Sequence, residues 1–335
     1  MKRLRDTSTS QKGCDGLIAF DLEGPLSPQD NAYEVMGLTE KGYELFERLS
    51  RYDDVLTLEE RPDYEPGDTL YLIIPFLIAE GITGEDILRV SQNAALTPGA
   101  KETIDRLKQE GFQIVIISTS YEPHAHNTGS RLGIQKEFIA CTAFNAQGLL
   151  LSAEEREFIL SEKKRILQIP LGDDEGLKKE LDEFYLKKLP SLQIYQKLRM
   201  VRVVGGRRKV EALKNFMSRF DVGPSRVACI GDSITDFRML DYINREGGLA
   251  IVFNGNEYSL PYGTVGVASD TLEAVIPVIE DFFRYGHEGL KKISSGQIPY
   301  HAEYSIICET EDMDSLIAIH KLMRKKIRGR AAELG

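Results

Sequence analysis

The chain has 335 residues, of which 42% are hydrophobic and 28% are charged, and its formal net charge at pH 7 is −10. This length predicts a globular core domain with one or two accessory domains. The acidic charge argues against a nucleic-acid binder, because sequence-independent binders neutralise phosphates with clustered Lys and Arg. We therefore expect a small molecule, and no nucleic acid, as the partner.

The N-terminus, the cysteines and the apolar runs predict a cytoplasmic protein. Residues 1–15 are basic and contain no apolar signal core, so we expect a flexible leader. The four cysteines are scattered singly, without the close pairing of metal knuckles or small disulfide frameworks. The longest apolar run, residues 70–79, contains Pro75 and is about half of the ~20 residues that span a bilayer. We expect no membrane segment.

Short apolar strands alternate with amphipathic helices, which is typical of an α/β domain. The predicted strands are residues 17–20, 112–117, 226–230, 249–253 and 265–267. They are almost wholly apolar, as strands covered by helices on both faces are. Amphipathic crossover helices precede the second and third strands, and Gly111 closes the first of these helices. The expected fold class is therefore α/β, with a doubly wound, mostly parallel sheet.

Two long intervals without strand signals interrupt this core. We expect residues 28–96 to form a helical cap and residues 151–200 to form a second helical insertion, either a further cap or an oligomerisation arm. The second interval begins with Ser152 three residues before Glu155, which is the spacing of a capping box. The remaining predicted units are a core of residues 16–27, 97–150 and 201–285, and a C-terminal extension of residues 286–335 with a strand over 304–308 and a last helix.

Polar clusters follow three of the predicted strands. Asp21 and Glu23 follow the first strand, a hydroxyl run that begins at Ser118 follows the second, and GDSITD, which contains Asp232, follows the third. Ligands collect beyond the carboxyl ends of the strands in an open parallel sheet, so we expect these groups at one edge. Mg²⁺ prefers oxygen ligands and commonly takes one or two carboxylates together with a substrate phosphate. Asp21 and Asp232 can supply these carboxylates.

Four segments are similar, in order, to the four motifs of the haloacid dehalogenase superfamily. They are FDLEGPL, IVIISTS, the Lys of GGRRKVEALK, and IGDSITD. The resemblance extends over residues 16–131, without the first insertion, and over residues 203–269. It implies a Rossmann-like core and Mg²⁺-dependent phosphoryl transfer through an aspartyl-phosphate. The first insertion stands where the phosphoserine-phosphatase-like branch has its cap, FIACTAFNAQGLL resembles a hairpin of that branch, and FDLEGP resembles an archaeal subset of predicted phosphatases.

The resemblance assigns the first motif the central chemical roles. Asp21 matches the nucleophile and a metal ligand. Glu23 matches the residue that protonates the leaving oxygen, activates the hydrolytic water and ligates the metal through its carbonyl oxygen. Phosphatases of this family usually have Asp in place of Glu23, and the extra methylene moves the carboxyl by more than ~1 Å, a displacement that can cost ~10²-fold in rate. Pro25 stiffens the same loop and removes one backbone donor.

The other motifs supply the phosphate and metal ligands that the resemblance implies. Ser118 matches the hydroxyl that holds a phosphoryl oxygen, and Thr119 is the hydroxyl beside it. Lys209 matches the cation that steadies nucleophile and phosphate, with the two preceding arginines as alternatives. Asp232 matches a metal ligand, and Asp236 matches a further ligand or an acid behind it.

Two functions stay open from the sequence. The first is a Mg²⁺-dependent phosphomonoester hydrolase for a small phosphorylated metabolite. The second is a phosphate-binding or regulatory protein that turns over poorly because Glu23 and Pro25 misplace the proton donor. A metal-free carbon–halogen hydrolase is disfavoured, because Asp232 and Asp236 without a metal would repel the charge of the nucleophile.

Other polar residues have weaker signals. We interpret His124 and His126 in SYEPHAHN as solvated loop residues or a substrate contact rather than metal ligands. The basic run KLMRKKIRGR, residues 321–330, is typical of a solvated last helix whose charges suit the helix dipole. The sequence leaves open whether the chain forms a homo-oligomer. Residues of the first insertion that either line a pocket or lie on solvated faces are Asn31, Tyr33, Glu34, Arg51 and Arg61.

Overall fold

The computed structural model describes residues 15–59, 61–62, 64–144, 148–293, 300 and 302–333. The predicted leader, residues 1–15, lies outside these ranges apart from Asp15. Residues 145–147, which belong to the segment that resembles a hairpin, also lie outside them.

A seven-stranded sheet forms the centre of the described structure. The strands are β1 (Leu17–Phe20), β2 (Gln113–Tyr121), β3 (Ile139–Thr142), β4 (Val227–Gly231), β5 (Leu249–Phe253), β6 (Val265–Ser269) and β7 (Ala302–Ile306). Their order is β3-β2-β1-β4-β5-β6-β7, and all neighbours are parallel except β6 and β7. The prediction of an α/β fold with a mostly parallel sheet is confirmed.

Helices cover both faces of the sheet, as the apolar strands predict. The helices are α1 (Asn31–Met36), α2 (Gly42–Leu58), α3 (Thr69–Ala79), α4 (Gly84–Gln92), α5 (Ala100–Gln109), α6 (Glu122–Arg131), α7 (Ala153–Ile166), α8 (Asp174–Glu183), α9 (Tyr195–Leu198), α10 (Arg207–Phe220), α11 (Phe237–Arg245), α12 (Val275–Tyr285), α13 (His287–Ile293) and α14 (Met313–Arg328). Ile18 and Phe20 of β1 pack with residues of α5 and α12, whereas Leu17 and Ala19 pack with residues of α10 and α11. Alternate side chains of one strand thus enter opposite cores.

The two insertions share one hydrophobic core. Helices α1 to α4 and α7 to α9 contribute to a single buried cluster, and we call this body the helical lobe. Within it the rings of Phe76 and Phe184 stack with their centroids 5.5 Å apart. The predicted capping box is present at the start of α7, where Ser152 and Glu155 bond each other's backbone. The second insertion therefore packs on the first.

The resemblance of FIACTAFNAQGLL to a hairpin is wrong in the described part of the chain. Ile139–Thr142 forms the edge strand β3, which pairs in parallel with β2 through Ile116 and Ile139. A hairpin within the segment would need a second strand antiparallel to β3, and residues 148–150, which follow the undescribed residues 145–147, form none. Parallel neighbours such as β2 and β3 need a crossover connection instead. Helix α6 makes this crossover between β2 and β3.

The C-terminal extension adds to both the sheet and one of its faces. The strand predicted at 304–308 lies at Ala302–Ile306 and pairs antiparallel with β6. Helix α14 then packs Leu316 into the same core as α10 and α11. In the described ranges, no helix combines the length and the apolar character needed to cross a membrane.

The packing of α14 predicts a difference between two Leu→Ala variants. Leu316 is buried in the core, whereas Leu322 on the same helix is 72% exposed. Leu316→Ala should lower the free energy of unfolding by about 2–5 kcal/mol, because it leaves a cavity. Leu322→Ala should change it by less than about 0.5 kcal/mol. Urea denaturation of both variants measures this, and equal losses would contradict the packing.

Candidate active site

Three carboxylates meet at the carboxyl ends of β1 and β4. Asp21 follows β1, and its N–H donates to the Ile230 carbonyl oxygen of β4 at 2.8 Å. Asp232 follows β4, and Asp236 closes the next turn by accepting the N–H groups of Asp232 and Ser233 at 3.0 and 3.2 Å. One carboxylate oxygen from each of the three Asp residues lies within 4.8 Å of the others, and all three residues are buried.

Lys209 is buried between two of these carboxylates. It lies in the first turn of α10, is 0% exposed, and donates to Asp21 Oδ1 at 2.8 Å and Asp236 Oδ1 at 2.7 Å. Burial lowers the pKa of Lys209, but Asp21 and Asp236 more than offset this effect and hold the lysine charged. The two preceding arginines face the helical lobe instead, where Arg207 pairs with Glu65 and Arg208 with Asp68.

The side chain of Glu23 reaches from the core to the helical lobe. Its Oε1 accepts the backbone N–H of Asn31, the first residue of α1, at 3.0 Å. Gly24 has a φ of +110°, and a Cβ there would lie 2.2 Å from Asp232 Oδ2, so this turn requires glycine. Burial, followed by the charge of Asp30, raises the pKa of Glu23 to about 8. The carboxyl group thus favours its protonated form.

His124 lies beside Glu23, and its interpretation as a solvated loop residue is wrong. It belongs to α6, is 0% exposed, and places Nδ1 2.8 Å from Ser91 Oγ and Nε2 3.8 Å from Glu23 Oε1. Burial, followed by the charge of Arg131, lowers the pKa of His124 to about 3, so the ring is neutral. The Pro before His124 lies in the first turn of α6, where Pro is favoured.

A small cavity lies between these residues and the helical lobe. It has a volume of about 60 Å³, enough for a few water molecules, and Asp21, Glu23 and Thr119 lie on its wall. Lys209, Asp232, Asp236 and Ser118 do not line it. Ser118 is buried, and its Oγ accepts the Ser120 N–H at 3.1 Å. Two cavities elsewhere, of about 630 and 730 Å³, are lined by none of the residues assigned to the site, and Arg208, an alternative to Lys209, lines the first of them.

Two arginines of α14 also enter the site, so the interpretation of residues 321–330 as a solvated run is wrong for them. The Nη1 atoms of Arg324 and Arg328 both donate to Asp232 Oδ2, the second at 2.9 Å. Arg324 is 1% exposed, and Arg328 lines the small cavity. The missed signal is a four-residue spacing that places Leu316, His320 and both arginines on one face of the helix.

The candidate pocket residues of the first insertion have other partners. Arg51 pairs with Asp174 and Arg61 with Asp182, and both pairs join the two insertions within the helical lobe. Asn31 contacts Glu23 through its backbone N–H, and within the described part of the chain both polar atoms of its side chain are buried without a hydrogen-bond partner. The other two candidates are Tyr33, which packs on Phe46, and Glu34, which accepts a hydrogen bond from Tyr43. His126, outside this insertion, lies in α6 near Glu122.

The three buried carboxylates fit a Mg²⁺ ion. Asp21, Asp232 and Asp236 present oxygens close enough to share one cation. Asp232 Oδ1 is buried and has no hydrogen-bond partner among the described residues, although the other oxygen of the same carboxylate is bound by two arginines. Burial, followed by the charge of Asp236, raises the pKa of Asp21 to about 7, and a bound cation would favour the charged carboxylate.

The chain is similar to the gene product AF1437 from Archaeoglobus fulgidus, with 30% sequence identity over 96% of this chain and 99% of that chain, and a TM-score of 0.85. A phospho-aspartyl intermediate analogue of phosphoserine phosphatase matches with 14% identity over 79% of this chain and 98% of that one, at a TM-score of 0.49. A probable phosphoserine phosphatase from Vibrio cholerae matches with 15% identity over 83% and 66%, also at 0.49. Neither a protein-family model nor a curated protein matches the chain.

The burial of Asp53, which lies on the lobe side of the cavity, leads us to predict that the stability of the protein depends on pH. Burial raises its pKa to about 7, although the hydrogen bond from Tyr64 opposes this shift. The stability contributed by protonated Asp53 is full below the unfolded-state pKa of about 3.9 and is lost as the pH rises through about 7. Between pH 5 and 8, the wild type should therefore lose on the order of 1–3 kcal/mol relative to Asp53→Asn.

Urea unfolding at several pH values measures this difference. Asp314→Asn, at an exposed position of α14, is the matched control for the loss of one carboxylate. Parallel curves for the wild type and Asp53→Asn from pH 5 to pH 8 would contradict the prediction.

Proposed function

We propose that the chain is a Mg²⁺-dependent phosphomonoester hydrolase of the haloacid dehalogenase superfamily, in its phosphoserine-phosphatase-like branch, whose four motifs its sequence resembles. It acts on a small phosphorylated metabolite through a phosphorylated Asp21. The observation that carries the proposal is the buried cluster in which Lys209 bonds Asp21 and Asp236, with Asp232 beside them. Acids and a lysine from three distant segments meet there, which supports the proposal because phosphoryl transfer depends on positioning and on compensation of charge.

The first half of the reaction transfers the phosphoryl group to the protein. A carboxylate oxygen of Asp21 bonds to phosphorus while the bond from phosphorus to the ester oxygen breaks. The ester oxygen takes the carboxyl proton of Glu23 and leaves as an alcohol. Mg²⁺ supplies positive charge that lets the Asp21 carboxylate approach an anionic phosphoryl group.

The second half of the reaction returns the protein to its starting form. Glu23, now a carboxylate, takes a proton from a water molecule. The resulting hydroxide oxygen bonds to phosphorus as the bond from phosphorus to Asp21 breaks, and inorganic phosphate leaves. Lys209 holds Asp21 in position throughout, because its second bond, to Asp236, fixes the ammonium group.

We assign the helical lobe the role of a cap. It closes the cavity over Asp21, and Asp53 and Thr69 of the lobe lie on the cavity wall. The cavity volume of about 60 Å³ fits a phosphoryl-sized group, and we expect the lobe to shift when a larger ester enters. Closure then keeps bulk water away from the phosphorylated aspartate.

A second candidate is a phosphate-binding protein with little turnover. It is favoured by two contacts that hold the motif residues in place: Glu23 is bonded to Asn31, and Asp232 is bonded to arginines. Both contacts oppose the movement of groups that the reaction uses. This candidate predicts binding of Mg²⁺ and phosphate with negligible hydrolysis.

A metal-dependence assay on an aryl phosphate tests the hydrolase proposal. Asp21→Asn should lower the Mg²⁺-dependent rate by at least ~10³-fold, because the nucleophile is lost. Asp314→Asn removes an exposed carboxylate and should leave the rate unchanged. A rate for Asp21→Asn equal to that of wild type would refute the role of Asp21.

Glu23→Asp separates the two candidates in the same assay. The shorter side chain withdraws the carboxyl from the position set by the Asn31 N–H, so a hydrolase should lose on the order of 10²-fold in kcat. If the wild type is nearly inactive and Glu23→Asp is far more active, the phosphate-binding candidate is correct.

A further inference from the structure

Arg328 reaches the small cavity from a part of the chain that lies beyond the four motifs. It is the last residue of α14, and its side chain is only 5% exposed. Its Nη1 donates to Asp232 Oδ2 at 2.9 Å, and its Nε donates to the Pro28 carbonyl oxygen at 3.1 Å. Since Asp21 lies on the wall of the same cavity, this guanidinium faces the space next to the proposed nucleophile.

The guanidinium of Arg328 has donors left for a ligand. Arginine carries five N–H donors, and those on Nη2 make no hydrogen bond to the described residues. Arg324 is placed differently, because it bonds both the carbonyl oxygen and the carboxylate of Asp232 and also the Ala332 carbonyl oxygen. Arg324 therefore secures Asp232, and Arg328 is available to the cavity.

The cavity wall is acidic, so an anionic ligand would need a cation there to bind. Asp21, Asp30 and Asp53 lie on its wall, and their carboxylates would repel a phosphate dianion. Lys209 is engaged by two carboxylates, is 0% exposed, and does not lie on the wall. Of the residues that line the cavity in the described structure, Arg328 is the one that carries a fixed positive charge.

The residues that follow α14 also contact the helical lobe. Arg330 pairs with Glu47 of α2, and its guanidinium carbon lies 5.5 Å from the centroid of the Tyr33 ring in α1. Arg328 contacts Asp232 of the core and Pro28, which precedes the lobe. The chain around Arg328 therefore bridges the two bodies that enclose the cavity.

We propose that Arg328 is a substrate-binding residue that the C-terminal helix supplies to the phosphoryl group, where its free Nη2 donors bind phosphoryl oxygens beside Asp21. This inference rests on the proposed function for its substrate class, a phosphate monoester, and extends the site to a helix outside the motifs. Guanidinium suits this role because its planar donors match two phosphate oxygens.

Binding of inorganic phosphate tests the inference without turnover. Titration calorimetry in saturating Mg²⁺ compares the wild type with Arg328→Gln, Arg328→Lys and the control Lys325→Gln. Lys325 lies on the same helix with its side chain 72% exposed, so the control removes one positive charge away from the cavity. Arg328→Gln should weaken phosphate binding on the order of 10- to 100-fold, as loss of a charge-assisted hydrogen bond does. Arg328→Lys should give an intermediate loss, and the control should match the wild type.

The outcomes separate this inference from the proposed function. Phosphate affinity of Arg328→Gln within twofold of the wild type would overturn the role of Arg328. If that variant fails to fold, the phosphate affinity of Arg328→Lys tests the inference, because this variant keeps the charge beside Asp232 and loses only the paired donors. An affinity equal to that of the wild type would then overturn the role of Arg328. A Mg²⁺ titration of each variant verifies that metal sites are filled. If phosphate binding depends on Arg328 but no ester is hydrolysed, the inference stands and the hydrolase proposal fails.

Discussion

The burial of three aspartates at one sheet edge is the constraint on which the rest of the structure depends. Asp21, Asp232 and Asp236 lie within 4.8 Å of one another, where their charges repel. A buried ion costs several kcal/mol unless it is paired, so the fold has to bring cations to the cluster. Lys209 pairs with Asp21 and Asp236, whereas Arg324 and Arg328 pair with Asp232.

The C-terminal extension belongs to the site because it provides two of the cations that pair with the buried aspartates. Strand β7 extends the sheet beyond β6, and α14 then runs along the sheet with Leu316 in the core. Its last turn carries Arg324 and Arg328 to Asp232. The helical lobe closes the opposite side through Asp53 and Thr69. Three parts of the chain thus enclose one small cavity, although only the core carries the four motifs.

The sequence predicts the sheet and the acid cluster because both have local signals. Strand β1 is apolar and ends at Asp21, and the spacing of GDSITD gives the turn that Asp236 closes. The four-residue spacing in α14 indicates that Arg324 and Arg328 share one face of the helix, but their contact with Asp232 depends on the long-range placement of β7 and α14. His124 was misplaced for the same reason, because its burial depends on Ser91 in a distant helix. Whether Ser118 or Thr119 meets a ligand depends on how far β2 continues beyond the predicted residue 117.

The central claim is that phosphorus becomes bonded to Asp21 during turnover, and trapping of this intermediate tests it most directly. The wild type is mixed with excess aryl phosphate and Mg²⁺, quenched in acid and reduced with borohydride, which converts an aspartyl-phosphate to homoserine. Mass spectrometry of the peptide that contains β1 should then find homoserine at position 21 and an unmodified Glu23. Unmodified aspartate at position 21 in a preparation that hydrolyses the ester would contradict the account.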